Sequence, residues 1–182
     1  MRTCTDATPK FHHAPGCGCT VRPSRRAVLG LLATAGLARG AAAASGQYEA
    51  MLLNCIDPRF TTGSFLWMSS HGLRDRYSQF TIAGGPIGAV HPRFASWHGA
   101  FWDNLDVTVQ LHRIHQVMAI THRDCGAAKI AFGDAAVATR AGETAQHTQA
   151  LQAFRAEAAR RQPALRVVTA IMNLDGTIDR VG

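Results

Sequence analysis

The sequence predicts an α/β fold, a central and mostly parallel β-sheet flanked by helices. Short apolar runs at 48–54, 79–83, 117–121 and 165–172 have the length of strands, and most are continuously apolar, as strands covered on both faces must be. Between them stand stretches whose apolar residues recur at helical spacing. Two of the runs end on residues that can bind or steer a metal, and open α/β sheets place their ligands at the carboxyl ends of strands. At 182 residues and 47% hydrophobic, the chain suits one domain with a filled core.

Taken in order, Tyr48 to Asn54 forms the first strand and delivers Cys55 to its end. Residues 60–78 show no clear period; Phe65, Leu66, Trp67 and Met68 are apolar, and Ser69-Ser70-His71-Gly72 reads as a break. Gln79 to Ala83 is the second strand, stopped by Gly84-Gly85-Pro86, where two glycines let the backbone turn tightly and approach a ligand closely. From Ser96 to about Leu111, Trp97, Phe101, Leu105 and Val109 mark one helix face, with Ser96 as the N-cap. Val117 to Thr121 is the third strand and leads to His122 and Cys125; Gly126 then opens a small-residue segment, 127–132, expected to be helical. A further helix runs from about Gly142 to Arg161, with Leu151, Phe154 and Ala158 inward and Pro163 beyond its end. Leu165 to Met172 is the last long strand, joined by an Asp175-Gly176 turn to 177–181. The expected order is β, β, α, β, α, α, β, β, with a site along one edge of the sheet.

The net charge of +7 is unevenly placed. Residues 1–44 carry six basic side chains against Asp6 alone, leaving +2 for 45–182. A body so nearly neutral argues against a phosphate-binding surface, and no nucleic-acid partner is expected. The front of the chain reads instead as a signal. Arg25-Arg26 precede an apolar run from Ala27 to Ala38, and Ala41 to Ala44 offer a small-residue cleavage site, most simply after Ala44. The pair of arginines, the two glycines in the run and Arg39 resemble a twin-arginine export signal, the alternative being an N-terminal helix of the mature fold. The run falls short of the roughly 20 residues a bilayer requires, so no stable membrane span is expected. Residues 45–182 are then expected to form the working domain of a bacterial protein that is periplasmic or otherwise exported.

Of five cysteines, Cys4, Cys17 and Cys19 lie upstream of the arginine pair and leave with the signal. Cys55 and Cys125 remain. Two such cysteines in an exported chain would ordinarily pair; an Asp-x-Arg beside one and a histidine three residues before the other argue for metal instead. Two thiolates and one imidazole are a donor set with which Zn²⁺ keeps a fourth position free.

Cys55-Ile56-Asp57-Pro58-Arg59 and His122-Arg123-Asp124-Cys125-Gly126 resemble the Cys-x-Asp-x-Arg and His-x-x-Cys-Gly motifs of the β-class carbonic anhydrases, in the same order and each at a strand end. The C-terminal hairpin resembles the way that family finishes its sheet, and the resemblance runs from about Tyr48 onward. It implies a β-carbonic-anhydrase-like fold, Zn²⁺ held by Cys55, His122 and Cys125, and CO₂ and bicarbonate as substrates. It also implies that Asp57 orients the water-derived nucleophile, that Arg59 holds Asp57, and that the protein is a homodimer or higher homo-oligomer. The chain departs from the family at 81–85, where Thr-Ile-Ala-Gly-Gly stands in place of Arg-Asn-Ala-Gly-Asn. Two alternatives stay open: a hydrolase of a CO₂-like molecule such as carbonyl sulfide or carbon disulfide, and a non-catalytic zinc-binding protein. His71, His91, His98, His112 and His115 are read as surface or helix-face residues, any one of which could move protons.

Overall fold

The two central strands are apolar throughout because both of their faces are covered. In the computed structural model, which describes residues 48–181, β1 (Ala50–Asn54) and β3 (Gln116–His122) are buried at every position. The export-signal expectation for 1–44 lies outside the described residues. The sheet has five strands in the order β2 (Tyr77–Thr81), β1, β3, β4 (Arg166–Met172), β5 (Ile178–Arg180). The first four are parallel, and β5 runs antiparallel to β4 after a turn at Asp175-Gly176.

Successive residues of a strand point to opposite faces, so β1 divides its side chains between two cores. Met51 and Leu53, with Val117 and Ala119 of β3, pack on Phe101, Trp102 and Leu105 of α3 (Ala95–His112) and on Phe154 and Ala158 of α5 (Arg140–Arg161). Ala50 and Leu52, with Met118 and Ile120, pack on Phe60 and on Met68 of α1 (Thr61–Ser70). Phe101, Leu105 and Phe154 are fully buried; truncating a phenylalanine in such a place costs about 3–5 kcal/mol.

The strands and the three expected helices fall where the sequence puts them, within a few residues. Helix α1 is an addition. Its apolar residues are consecutive, Phe65 to Met68, so no single face repeats; Phe65 and Leu66 are exposed while Ser64 and Met68 face inward. A short helix, α2 (Pro86–Val90), follows Gly85 directly. The cap expected at Ser96 is corrected: α3 starts at Ala95 out of a 3₁₀ turn, Pro92–Phe94, and Phe94 at the N-cap makes no side-chain cap bond. Trp97 is also not a core residue; it stacks on Phe94 at 4.5 Å and stays 37% exposed. Helix α5 begins two residues earlier than expected because Thr139 caps it, accepting from the Gly142 N–H at 3.1 Å. Between β3 and α5 lies α4 (Gly126–Phe132). Among the described residues no helix is long and apolar enough to cross a membrane.

Candidate metal centre

β1 and β3 are neighbours in parallel register, Leu53 opposite Ala119. Continuing that register brings Cys55 level with the end of β3, where His122 sits. Cys125 follows across a tight loop in which Asp124 takes the left-handed conformation, φ 53°, and Cys125 precedes α4 as its N-cap residue. The two sulfurs and a ring nitrogen of His122 lie within 4.8 Å of one another, all on buried residues.

The local chemistry favours a cation there. The Nδ1 atom of His122 lies 2.8 Å from the Arg123 carbonyl oxygen. Such a contact needs an N–H on Nδ1, so Nε2 carries the free lone pair. That Nε2 is buried and has no hydrogen-bond partner; a buried imidazole nitrogen left without a partner is costly unless something binds it. Phe60 lies against the ring, with the centroids 4.1 Å apart and the planes tilted by 31°. The Cys55 thiol is lowered to about 4, first by a hydrogen bond from Cys125 and then by those from the Asp57 and Gly84 amides, with burial acting the other way. The Cys125 thiol is pushed up because it faces that sulfur. Both cysteines are free thiols. One negative charge is thus already favoured in the pocket, and a bound dication would favour the second.

The glycine turn contributes directly. Gly84 (φ 75°) donates its N–H to Cys55 Sγ at 3.2 Å. Gly85 (φ 55°) passes so close to the ends of β1 and β3 that a Cβ there would meet the Asn54 carbonyl carbon and the Ile120 oxygen, each at 3.0 Å.

Asp57 and Arg59 form the pair expected of them. Asp57 caps the 3₁₀ turn Pro58–Phe60, accepting from the Arg59 N–H at 3.0 Å, and takes Arg59 Nη2 at 2.7 Å. The guanidinium holds the Asp57 carboxyl below the usual carboxylate range. The same guanidinium reaches the second motif, with Nη1 3.0 Å from Asp124 Oδ2 and Nη2 3.1 Å from the Asp124 carbonyl. Asp57 and Cys55 line a cavity of about 410 Å³ whose other walls include Ala83, Phe94, Trp97 and Ile130.

Thr81, where the resembled family carries arginine, donates to the buried Asn54 side chain at 3.1 Å, and Gln79 donates to the same oxygen. Ile82 packs against the core. The polar pair is therefore replaced by a brace on the end of β1. The five histidines read as peripheral stay out of the cluster: His71 bonds the Trp67 carbonyl, His98 the His91 carbonyl, His112 the Ser78 hydroxyl and His115 the Glu49 carboxylate, while His91 accepts from the Arg93 amide.

Three residues escaped the sequence reading. Asp124 stands at a position that the His-x-x-Cys-Gly pattern leaves unspecified. Glu143, in the first turn of α5, reaches back to the Asp124 amide and to Arg123. His147 is completely buried, with no partner on either ring nitrogen. The only sequence signal for His147 is that it stands one turn before Leu151 on the inward face of α5.

No family model matches the chain. Uncharacterized proteins of Rickettsia conorii and Rickettsia bellii are each 29% identical to it over 135 residues, covering 74% of this chain and 73% and 82% of theirs. Among solved structures, it is similar to a carbonic anhydrase from Streptococcus mutans with a TM-score of 0.52 at 18% identity, covering 75% of this chain and 83% of that one. A carbonic anhydrase from Glaciozyma antarctica gives 0.51 at 15% identity, covering 87% and 96%. The β-carbonic anhydrase CafA of Aspergillus fumigatus gives 0.50 at 16%, covering 75% and 76%. At these identities the likeness is one of architecture: the chain has the β-carbonic-anhydrase fold, with a Cys-His-Cys group arranged for a metal at its sheet end.

Proposed function

We propose that this chain is a zinc-dependent enzyme interconverting CO₂ and bicarbonate. The observation that carries the reading is the convergence of Cys55, Cys125 and the partnerless Nε2 of His122 at one point, beside a carboxylate that a guanidinium already grips. The fold likeness to carbonic anhydrases supports it. Zn²⁺ held by Cys55, His122 and Cys125 would supply the Lewis acidity that makes water nucleophilic near neutral pH.

The chain's own groups do the rest. Ionised Asp57 can only accept hydrogen bonds, so it takes one from the attacking water and aims the oxygen lone pair at carbon. Arg59, bonded to both Asp57 oxygens, fixes that direction and keeps the carboxylate from swinging inward. The apolar wall of Ala83, Phe94, Trp97 and Ile130 accepts an uncharged, linear molecule without asking for a polar partner. An oxygen–carbon bond forms, one proton passes to solvent and bicarbonate leaves.

Zinc determination on the purified domain, with CO₂ hydration followed by stopped flow, tests the reading. Metal-free protein carrying a Cys55–Cys125 disulfide overturns it. The apolar wall, together with Thr81 and Ile82 in place of a polar pair, favours one second reading, hydrolysis of a CO₂-like molecule such as carbonyl sulfide or carbon disulfide. A folded zinc protein with negligible CO₂ hydration but sulfide release would establish that alternative.

Two further expectations belong to the same reading. Ile56 and Ile130, each 62% exposed, ring the cavity mouth with Trp97. Exposed apolar rims of this kind are covered by a partner, here a second copy of the chain in a homodimer or higher oligomer, which light scattering reads. Residues 1–44 direct export by the twin-arginine route, so that the metal is loaded before the chain leaves the cytoplasm. Fractionation of cells carrying Arg25→Lys with Arg26→Lys reports on this, precursor retained inside being the expected result.

A further inference from the structure

We infer that Glu143 is a positioning residue for the metal loop, acting through the backbone of Asp124. The inference rests on the metal reading above. His122 and Cys125 can meet at one point only if the chain between them reverses sharply, and the reversal is made at Asp124, whose φ of 53° is a conformation that L-residues other than glycine adopt at a cost. Such a residue holds its shape because its surroundings over-determine it.

The surroundings of Asp124 do so on every side. Its amide N–H is accepted by Glu143 Oε1 at 2.6 Å. Its carbonyl accepts from Arg59 Nη2, and its carboxylate takes Arg59 Nη1 at 3.0 Å and Lys129 Nζ at 2.6 Å. Arg59 and Lys129 are about half exposed and hold Asp124 from the solvent side. Glu143 differs. Its side chain is 12% exposed, and its other oxygen lies 3.3 Å from Nη1 of Arg123, a guanidinium only 6% exposed. Arg123 in turn donates to Thr144 at 2.7 Å and faces Asp179 of β5. One carboxylate therefore ties the first turn of α5 to two consecutive residues between His122 and Cys125. Groups that orient metal ligands from behind are worth about 10–100-fold in metal affinity.

The test uses Co²⁺ as the probe, read by its visible absorption, with Zn²⁺ competition for affinity. Glu143→Ala is expected to weaken Co²⁺ binding about 10–100-fold and to change the thiolate-to-cobalt bands. Glu143→Gln, which keeps an acceptor for the Asp124 amide, should return the spectrum towards the parent. In an Asp124→Gly background, where glycine takes positive φ freely, the Glu143→Ala loss should shrink. Unchanged affinity and spectrum in Glu143→Ala, or a lowered melting temperature alone, overturns the inference. So does a loss of equal size in the Asp124→Gly background. Should Glu143→Ala fail to fold, amide exchange in the parent protein decides: the N–H of exposed Asp124 should exchange slowly, and fast exchange sinks the role. A parent protein that takes up no Co²⁺ sinks the metal reading itself, whereas parent uptake with an indifferent Glu143→Ala sinks only the part given to Glu143.

Discussion

Arg59 grips Asp57 from two directions, with Nε 3.1 Å from both carboxylate oxygens and Nη2 2.7 Å from Oδ2. The two residues belong to one five-residue motif, and the turn between them is closed by the same carboxylate accepting the Arg59 amide. Asp57 is thereby both the cap of its own loop and the acceptor that faces the cavity.

Arg59→Ala is expected to lower kcat/KM on the order of 10²-fold, the scale of a misdirected reacting group, with zinc content unchanged. The sign of the pH dependence follows from the direction of the Asp57 shift. Its folded pKa lies below the unfolded value of about 3.9, so its contribution is complete above that value and is lost only as the pH falls through the lower folded one. No limb from Asp57 should therefore appear between pH 5 and 8 in the parent. In Arg59→Ala the acid limb should move upward, which a pH–rate profile of both proteins measures.

Removing the metal should cost stability as well as activity. A ligand that binds only the folded state stabilises it by about 4 kcal/mol when present at 1,000 times its dissociation constant. Chelation is thus expected to lower the melting temperature by several degrees and to expose both thiols to titration, with Zn²⁺ restoring the parent values. Cys125→Ser and His122→Ala should show no such response to chelator, which calorimetry with and without metal would read.

Gly85→Ala should be felt at the metal site although residue 85 supplies no ligand. A side chain at φ 55° is strained, and its Cβ would stand 3.0 Å from backbone atoms of both Asn54 and Ile120, which cannot give way as a flexible side chain can. Destabilisation of about 1–3 kcal/mol is expected. Relief comes only by moving the turn, and with it the Gly84 amide that donates to Cys55, so metal affinity should fall together with the denaturation midpoint.

How much of this was legible from the sequence depends on whether a relationship is carried within a few residues or made by the fold. Cys55 with Asp57 and His122 with Cys125 are local spacings at the ends of apolar runs, and they could be read directly. The face Leu151, Phe154, Ala158 was read for the same reason. The hold of Arg59 on Asp124 joins positions 65 apart in the chain, and that of Glu143 on Asp124 joins positions 19 apart; neither residue type in isolation distinguishes them from solvated charges. Helix α1 has no period because its apolar residues are adjacent, and Ser96 resembles a cap although α3 starts out of a proline-led 3₁₀ turn whose own cap, His91, stands five residues earlier and accepts from the Arg93 amide.

His147 extends the inward face of α5 by one turn and is completely buried there. Burial, reinforced by the charge of the nearby Arg123 guanidinium, lowers its pKa to about 4. An unfolded histidine titrates near 6.5, so above that pH the folded and unfolded chains bind the same number of protons at this group. Below it, only the unfolded chain takes one up, and stability is lost as the pH falls from about 6.5 towards 4, by roughly 3 kcal/mol at 1.36 kcal/mol per pH unit. Neutral His147 also leaves both ring nitrogens without partners, so replacing it by an apolar side chain of similar size removes a desolvation cost rather than a contact. His147→Leu is therefore expected to be at least as stable as the parent at pH 7 and to lose less stability by pH 4.5. Urea midpoints of the two proteins across that interval measure the difference, and parallel pH dependences would show that burial of this imidazole is not what makes the fold sensitive to acid.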